Sequence, residues 1–235
     1  MISEKNNIYF SIIICCYNSE KFISETLNSV ITQNYDKWEL IIIDDGSEDN
    51  TEKILKKIIN KNPNKNIQYF KQENKGLAQS RNFAIKLCKY PWIALLDHDD
   101  ISLPHRLKYQ AQQIINNSNC DLFFSDMIYF NNSLEFSRFN HIYKTDKFMI
   151  NNLDFKKINA YNNLIKHGCF IGSSTVVFSK SSFNRTDGFN TSFKFLTDYV
   201  FFLDISIIRG SPSSSKVIFL FRAFFPESER DFSSF

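Results

Sequence analysis

Six carboxylates fall in three short clusters along this 235-residue chain: Asp44 with Asp45, then Glu73, then Asp97, Asp99 and Asp100. Brought together, they would repel one another unless cations or hydrogen bonds offset the charge. A divalent metal that prefers oxygen ligands is the economical partner. Magnesium or manganese held by one or two carboxylates completes its shell with phosphate oxygens and water, so the pattern implies a diphosphate ligand. Lys75 and Arg81 stand close to Glu73 in sequence and can supply positive charge to the same diphosphate.

The surrounding sequence predicts elements that bring these clusters to one place. Residues 9–16 form an isoleucine-rich run too short for a helix, which reads as a strand buried on both faces. Asn18 or Ser19 can cap a following helix on which Phe22, Ile23, Leu27, Val30 and Ile31 recur at helical spacing. Further strands are expected over residues 38–43, 67–70, 92–96 and 120–125. Helices are expected near 54–59 and 77–88, and after Pro104. Strands alternating with helices predict a parallel α/β sheet with right-handed crossovers. Beyond Tyr129 the periodicity weakens, apart from a strand near 175–178 and a helix near 199–208. The expected organisation is a nucleotide-binding half over residues 1–129 and a second half over 130–235 packed on the same sheet.

In a parallel sheet the carboxyl ends of the strands share one edge, and ligands bind in the crevice outside it. Tyr17-Asn18, Asp44-Asp45, the Glu73-Asn74-Lys75-Gly76 loop and the Asp97-His98-Asp99-Asp100 loop each follow a predicted strand, so four loops converge there. No G-x-G-x-x-G or G-x-x-x-x-G-K-[ST] pattern occurs, which argues against a dinucleotide or P-loop site. Asp97-His98-Asp99 also resembles the nucleophile loop of haloacid-dehalogenase-type phosphatases. That loop normally follows the first strand, however, and here it follows the fourth, with Ile101 where Thr or Val is usual.

Composition narrows the class. The formal net charge is +3, too small a field to draw in nucleic acid as a partner. No apolar run approaches the ~20 residues of a membrane-spanning helix, and the polar first seven residues lack a signal-peptide pattern, so a cytoplasmic location is expected. Cys15, Cys16, Cys88, Cys120 and Cys169 form no C-x-x-C pair and suit core packing better than zinc. His98, His105, His141 and His167 have no metal-cluster spacing.

Four motifs now stand in order: the isoleucine run from Ser11 ending in Cys15-Cys16-Tyr17-Asn18; Glu39 running through isoleucines to Asp44-Asp45-Gly46-Ser47, then Thr51; Asn74-Lys75-Gly76-Leu77-Ala78-Gln79-Ser80-Arg81-Asn82; and Leu96-Asp97-His98-Asp99-Asp100, then Pro104. Together they resemble a family 2 inverting glycosyltransferase of the GT-A fold, over roughly residues 9–205. The resemblance implies an α/β fold with a Rossmann-like, mostly parallel sheet flanked by helices and an acceptor-side C-terminal half packed on it. It also implies a nucleotide-sugar donor, a UDP-sugar first among the candidates, and a glycan or lipid-linked acceptor. The enzyme would touch the inner face of the membrane without spanning it.

By the same resemblance, Cys15 and Tyr17 line the base pocket, Asp45 accepts a hydrogen bond from the base, Gly76 belongs to the nucleotide-sugar site, and Arg81 lies near the diphosphate. Asp97 and Asp99 match the D-x-D motif that faces ribose and holds manganese or magnesium. Gly188-Phe189 followed by Leu196-Thr197-Asp198-Tyr199 resembles the family's Gly-Phe segment and its acidic catalytic pair, with Thr197 replacing the first acid and Asp198 as general base. No Q-x-x-R-W motif is present, which disfavours a processive polysaccharide synthase. Inverting transfer needs a base for the acceptor hydroxyl and stabilisation of the departing diphosphate, and a loop within 130–166 would close over the donor. Two plainer readings compete: Asp44-Asp45-Gly46-Ser47 as an ordinary strand-to-helix turn, and Asp198 as a helix cap. Thr197 and the short C-terminus also prompt an inactive nucleotide-sugar-binding relative as an alternative to the enzyme.

Overall fold

The computed structural model describes residues 7–125, 127–129, 137–138, 160–169, 171–207 and 219–221. The first two strands, β1 (Phe10–Cys16) and β2 (Trp38–Asp44), are buried along their whole length, as parallel strands covered on both faces must be. Their side chains alternate between two cores with the two-residue period of a strand. Ile13, Cys15, Ile41 and Ile43 join one cluster, while Ile12, Ile14, Cys16, Leu40 and Ile42 join the other.

Around them lie α1 (Ile23–Ile31), α2 (Thr51–Lys61), β3 (Ile67–Lys71), α3 (Leu77–Leu87), β4 (Trp92–Leu95), α4 (Arg106–Asn116) and β5 (Leu122–Ser125). A short antiparallel pair follows, β6 (Ile128–Tyr129) with β7 (Ser137–Arg138). Then come α5 (Ala160–His167), a 3-10 turn (Ser173–Thr175), β8 (Val177–Ser179), α6 (Lys180–Phe183), α7 (Thr197–Ile207) and β9 (Phe219–Phe221).

The main sheet has seven strands in the order β3-β2-β1-β4-β8-β5-β9. All pairings are parallel except those of β8, which runs antiparallel to both β4 and β5. A strand from the second half of the chain is thus threaded between two strands of the first. The core is shared in the same way, because Phe201 and Phe202 of α7 pack in the cluster that holds Ile13 and Ile41. This is the mostly parallel, helix-flanked α/β sheet the sequence predicts.

Several boundaries differ from expectation for identifiable reasons. Neither Asn18 nor Ser19 caps α1 with its side chain: the helix begins at Ile23, and the Ser19 carbonyl accepts from the Phe22 and Ile23 amides at 3.0 Å. Phe22 stays half exposed instead of joining the helix's buried face. Pro104 does not open α4, because its carbonyl is held by the Asn34 amide at 2.8 Å and the helix starts two residues later. The strand expected from Cys120 begins at Leu122, since Asp121 is engaged by Ser179 at 2.8 Å through its carbonyl. Of the expected closing loop, only 137–138 and 160–166 lie within the described residues.

Candidate active site

The loop after β2 is built around two buried carboxylates with different tasks. Asp44 closes its own turn, its Oδ1 accepting from the Ser47 amide at 2.8 Å and its Oδ2 from the Tyr69 hydroxyl at 2.8 Å. Asp45 reaches across to the next loop. Its Oδ1 accepts from Gln72 Nε2 at 2.6 Å and the Lys75 amide at 2.9 Å, and its Oδ2 from the Gly76 amide at 2.8 Å. Buried N–H groups left unpaired cost free energy, so Asp45 fixes the entrance to α3.

Two glycines make this arrangement possible. Gly76 sits at φ +87°, a left-handed conformation that side chains disfavour, and this turns its amide toward Asp45. Gly46 sits at φ +85° with the Asn74 backbone nitrogen only 3.0 Å from where a Cβ would stand, so the two loops touch through main chain.

Beside them, Asn18 adopts φ 48° and accepts from the Glu48 amide at 2.9 Å, while its own amide donates to Ser47 Oγ at 3.0 Å. Tyr17 is left with 45% of its surface exposed at the end of β1. Cys15 lies beneath, buried in the core, and burial pushes its thiol up to about 12 despite the opposing pull of Arg81. It is an inert packing group at the floor of the crevice.

The loop after β4 is pinned from two sides. Thr26 Oγ1 of α1 donates to the His98 carbonyl at 2.9 Å, and Gln33 donates to the Ser102 and Leu103 carbonyls at 3.1 and 2.7 Å. From below, the buried Arg106 guanidinium donates to the Leu95 and Val176 carbonyls at 2.9 and 3.1 Å; burial lowers its pKa to about 10. Within the loop, Asp97 Oδ1 accepts from Arg81 Nη2 at 2.7 Å. That guanidinium is itself buried and lies 5.3 Å from the centroid of the Phe189 ring. Asn82, next to Arg81, holds Phe189 by two bonds at 2.7 and 2.8 Å. Arg81 therefore steers Asp97, a task the sequence alone did not assign to it.

The expectation of six crowded carboxylates needs correction. Asp44, Asp45, Asp97 and Asp100 are already offset by internal partners, Asp100 through the Ser174 hydroxyl. Burial pushes the Asp100 carboxyl up, and the Asp97 and Asp99 charges add to this. Glu73 and Asp99 are exposed, and neither carboxylate has a hydrogen-bond partner among the described residues. Among the described residues no group of three or more His, Cys, Asp or Glu side chains forms a closed metal cage. Asp97 and Asp99 instead suit the open arrangement of magnesium or manganese, in which one or two carboxylates leave the remaining positions to phosphate and water.

Asp198 lies in the first turn of α7, half buried. Its Oδ2 accepts from Ser173 Oγ at 2.6 Å and its Oδ1 from the Tyr199 amide at 2.8 Å. The Tyr199 ring is anchored through its hydroxyl to the Leu164 carbonyl of α5 at 2.8 Å. Thr197 is buried, so the place of the family's other acid faces packing here. Just ahead, Phe193, Phe195 and Leu196 are exposed, Leu196 with a positive φ of 60°. The serines at 173 and 174 were missed in the sequence, where two small polar residues after Gly172 carry no periodic or motif signal.

The comparisons identify the family and the fold. The model of Glycosyl transferase family 2 matches residues 11–185. The UDP-Glc:alpha-D-GlcNAc-diphosphoundecaprenol beta-1,3-glucosyltransferase of Escherichia coli is 33% identical over 205 residues, covering 87% of this chain and 72% of that one. An uncharacterized glycosyltransferase of Rickettsia typhi is 29% identical, covering 88% of this chain and 65% of its own length.

Among solved structures, S. aureus TarS in complex with UDP-GlcNAc superposes with a TM-score of 0.69 at 23% identity, over 92% of this chain and 56% of that one. A mannosyltransferase from Pyrobaculum calidifontis in complex with GDP-Man and Mn2+ gives 0.62 at 16% identity, over 94% of this chain and 58% of that one. At such identities these two bear on the fold alone, which is GT-A. The chain belongs to glycosyl transferase family 2, and its class is that of a hexosyltransferase-type glycosyltransferase.

Proposed function

We propose that the protein transfers a sugar from a nucleoside-diphosphate-sugar to an acceptor hydroxyl with inversion, one residue at a time, in polysaccharide or glycolipid synthesis. The observation that carries the reading is the single turn, Ser173–Thr175, whose adjacent hydroxyls touch the Asp97 loop on one side and Asp198 on the other. A donor site and a base are thereby set side by side.

Residues 1–129 form the donor half. The exposed Tyr17 ring covers the base above Cys15, and Asp45 both orders the 72–76 loop and offers its remaining lone pairs to the base. Gly76 brings main chain close to the diphosphate, and Arg81 sets Asp97. Asp97 and Asp99 would hold manganese or magnesium. Such an ion, when bound, neutralises charge that grows on the departing diphosphate.

Residues 130–235 form the acceptor half. Asp198 takes the proton of the acceptor hydroxyl as its oxygen bonds to the anomeric carbon, and the bond to the diphosphate breaks with its electron pair. The proton ends on the Asp198 carboxyl. With both of its oxygens already hydrogen-bonded, the carboxylate is held in one orientation and keeps lone pairs for the incoming hydroxyl.

A UDP-sugar donor is supported by the name of the E. coli relative and by the UDP-GlcNAc complex of TarS. A lipid-linked acceptor is supported by the diphosphoundecaprenol in that relative's name and by exposed Phe193, Phe195 and Leu196 beside Asp198. The same lipid-linked acceptor supports peripheral contact with the inner face of the membrane by a cytoplasmic enzyme; no helix among the described residues is long and apolar enough to cross a membrane. A thermal-shift screen of nucleotide-sugars, with manganese and with chelator, tests the reading. Stabilisation by a UDP-sugar only with manganese is expected; activity on simple phosphate esters with no nucleotide-sugar response would overturn it.

A further inference from the structure

We propose that Ser173 and Ser174 are positioning residues: the pair locks the base to the donor loop so that both are placed by one rigid turn. The inference rests on reading Asp198 as the base. Ser174 Oγ accepts from the Asp97 amide at 3.0 Å and donates its proton to Asp100. A hydroxyl has one proton to give, so Ser174 is fully committed to the donor loop. Ser173 gives its proton to Asp198 Oδ2 at 2.6 Å. With 9% of its surface exposed, Ser173 leaves little room for water to stand in for its hydroxyl.

The turn itself cannot drift. Thr175 closes it with its amide and its hydroxyl, both donating to the Gly172 carbonyl at 3.0 and 2.8 Å. Buried Gln110 of α4 donates to the Thr175 carbonyl at 2.8 Å, and Arg106 to the Val176 carbonyl at 3.1 Å. The chain then enters β8, held between β4 and β5. The antiparallel insertion of β8 thus gives the turn a footing in the middle of the sheet, a few residues from both halves of the reaction.

Geometry of this kind matters because a catalytic group displaced by ~1 Å can lose about a hundredfold in rate. The two hydroxyls should fail differently. Loss of Ser173 frees the base and leaves the donor loop intact, so it acts on turnover. Loss of Ser174 frees the Asp97 amide and the Asp100 carboxyl, so it acts on donor binding.

The test uses hydrolysis of UDP-glucose with manganese, water serving as acceptor, beside calorimetric titration of UDP with manganese. Ser173→Ala is expected to lower kcat about tenfold with KM and UDP affinity unchanged, and Ser173→Thr to restore the rate. Ser174→Ala is expected to weaken UDP binding severalfold. Added to Asp198→Asn, Ser173→Ala should cost nothing further, because its effect runs through that carboxylate. A wild-type rate in Ser173→Ala, or a full additional loss in the double variant, would overturn the inference. Failure of the base reading shows separately, as a wild-type rate in Asp198→Asn alone.

Discussion

The loops of the donor half are bonded to one another before any ligand arrives, whereas the segment leading into α7 holds apolar side chains out into solvent. On one side Asp45 takes three hydrogen bonds from the neighbouring loop, and main chain meets main chain at Gly46. On the other, Phe195 is 81% and Leu196 64% exposed, a few residues from the carboxylate read as the base. In residues 1–129 the ordering cost of these loops is met by folding, which favours binding of a small ligand. The segment leading into α7 keeps uncovered apolar surface, which favours a partner that brings its own apolar part.

Asp99→Ala attacks residues 1–129 at an exposed carboxylate of the Asp97–Asp100 loop and should have the largest effect. Turnover is expected to fall about a hundredfold or more, with manganese no longer improving UDP affinity in calorimetry. Unchanged manganese dependence would show that Asp99 does not meet the ion. Asp45→Ala should act through structure first. Three donors lose their acceptor, so stability should drop by about 2 kcal/mol in denaturant unfolding and UDP affinity should weaken about tenfold. Wild-type stability would mean that the loops are ordered by something other than this carboxylate.

Phe195→Ser probes the open side and should be the mildest. Stability should stay within about 0.5 kcal/mol and UDP affinity should not change, because the ring is exposed. The KM for a lipid-linked acceptor should rise severalfold, measured against a water-soluble acceptor as control. Equal effects on both acceptors would remove the apolar surface from acceptor binding.

The same division explains what the sequence made legible. Isoleucine runs such as 12–14 and 41–43, each leading into a polar loop, announce buried parallel strands, and the Asp97–Asp100 loop follows another strand, β4. The placement of β8 was not legible as an antiparallel insertion, because three residues carry no direction and their partners lie far away in sequence. The second tasks of Asp45 and Arg81 were hidden for another reason. Motif matching places a residue beside a ligand, but only folded geometry shows that its carboxylate or guanidinium is already shared with another loop. Ser173 and Ser174 were invisible, since their role depends on two contacts 25 and 77 residues away along the chain.

The central claim is that Asp198 is the proton acceptor of a sugar transfer run from the edge of this sheet. Asp198→Asn keeps the shape and a carbonyl oxygen for the Tyr199 amide, turns an NH2 donor toward Ser173, whose hydroxyl can accept from it, and removes the ability to take a proton. Turnover of UDP-sugar by this variant, alongside its calorimetric affinity for UDP with manganese, tests the claim most directly. The account predicts wild-type folding and donor affinity with turnover lowered about a hundredfold or more. Near-normal turnover in the folded variant would contradict it and reduce Asp198 to a structural residue of the first turn of α7.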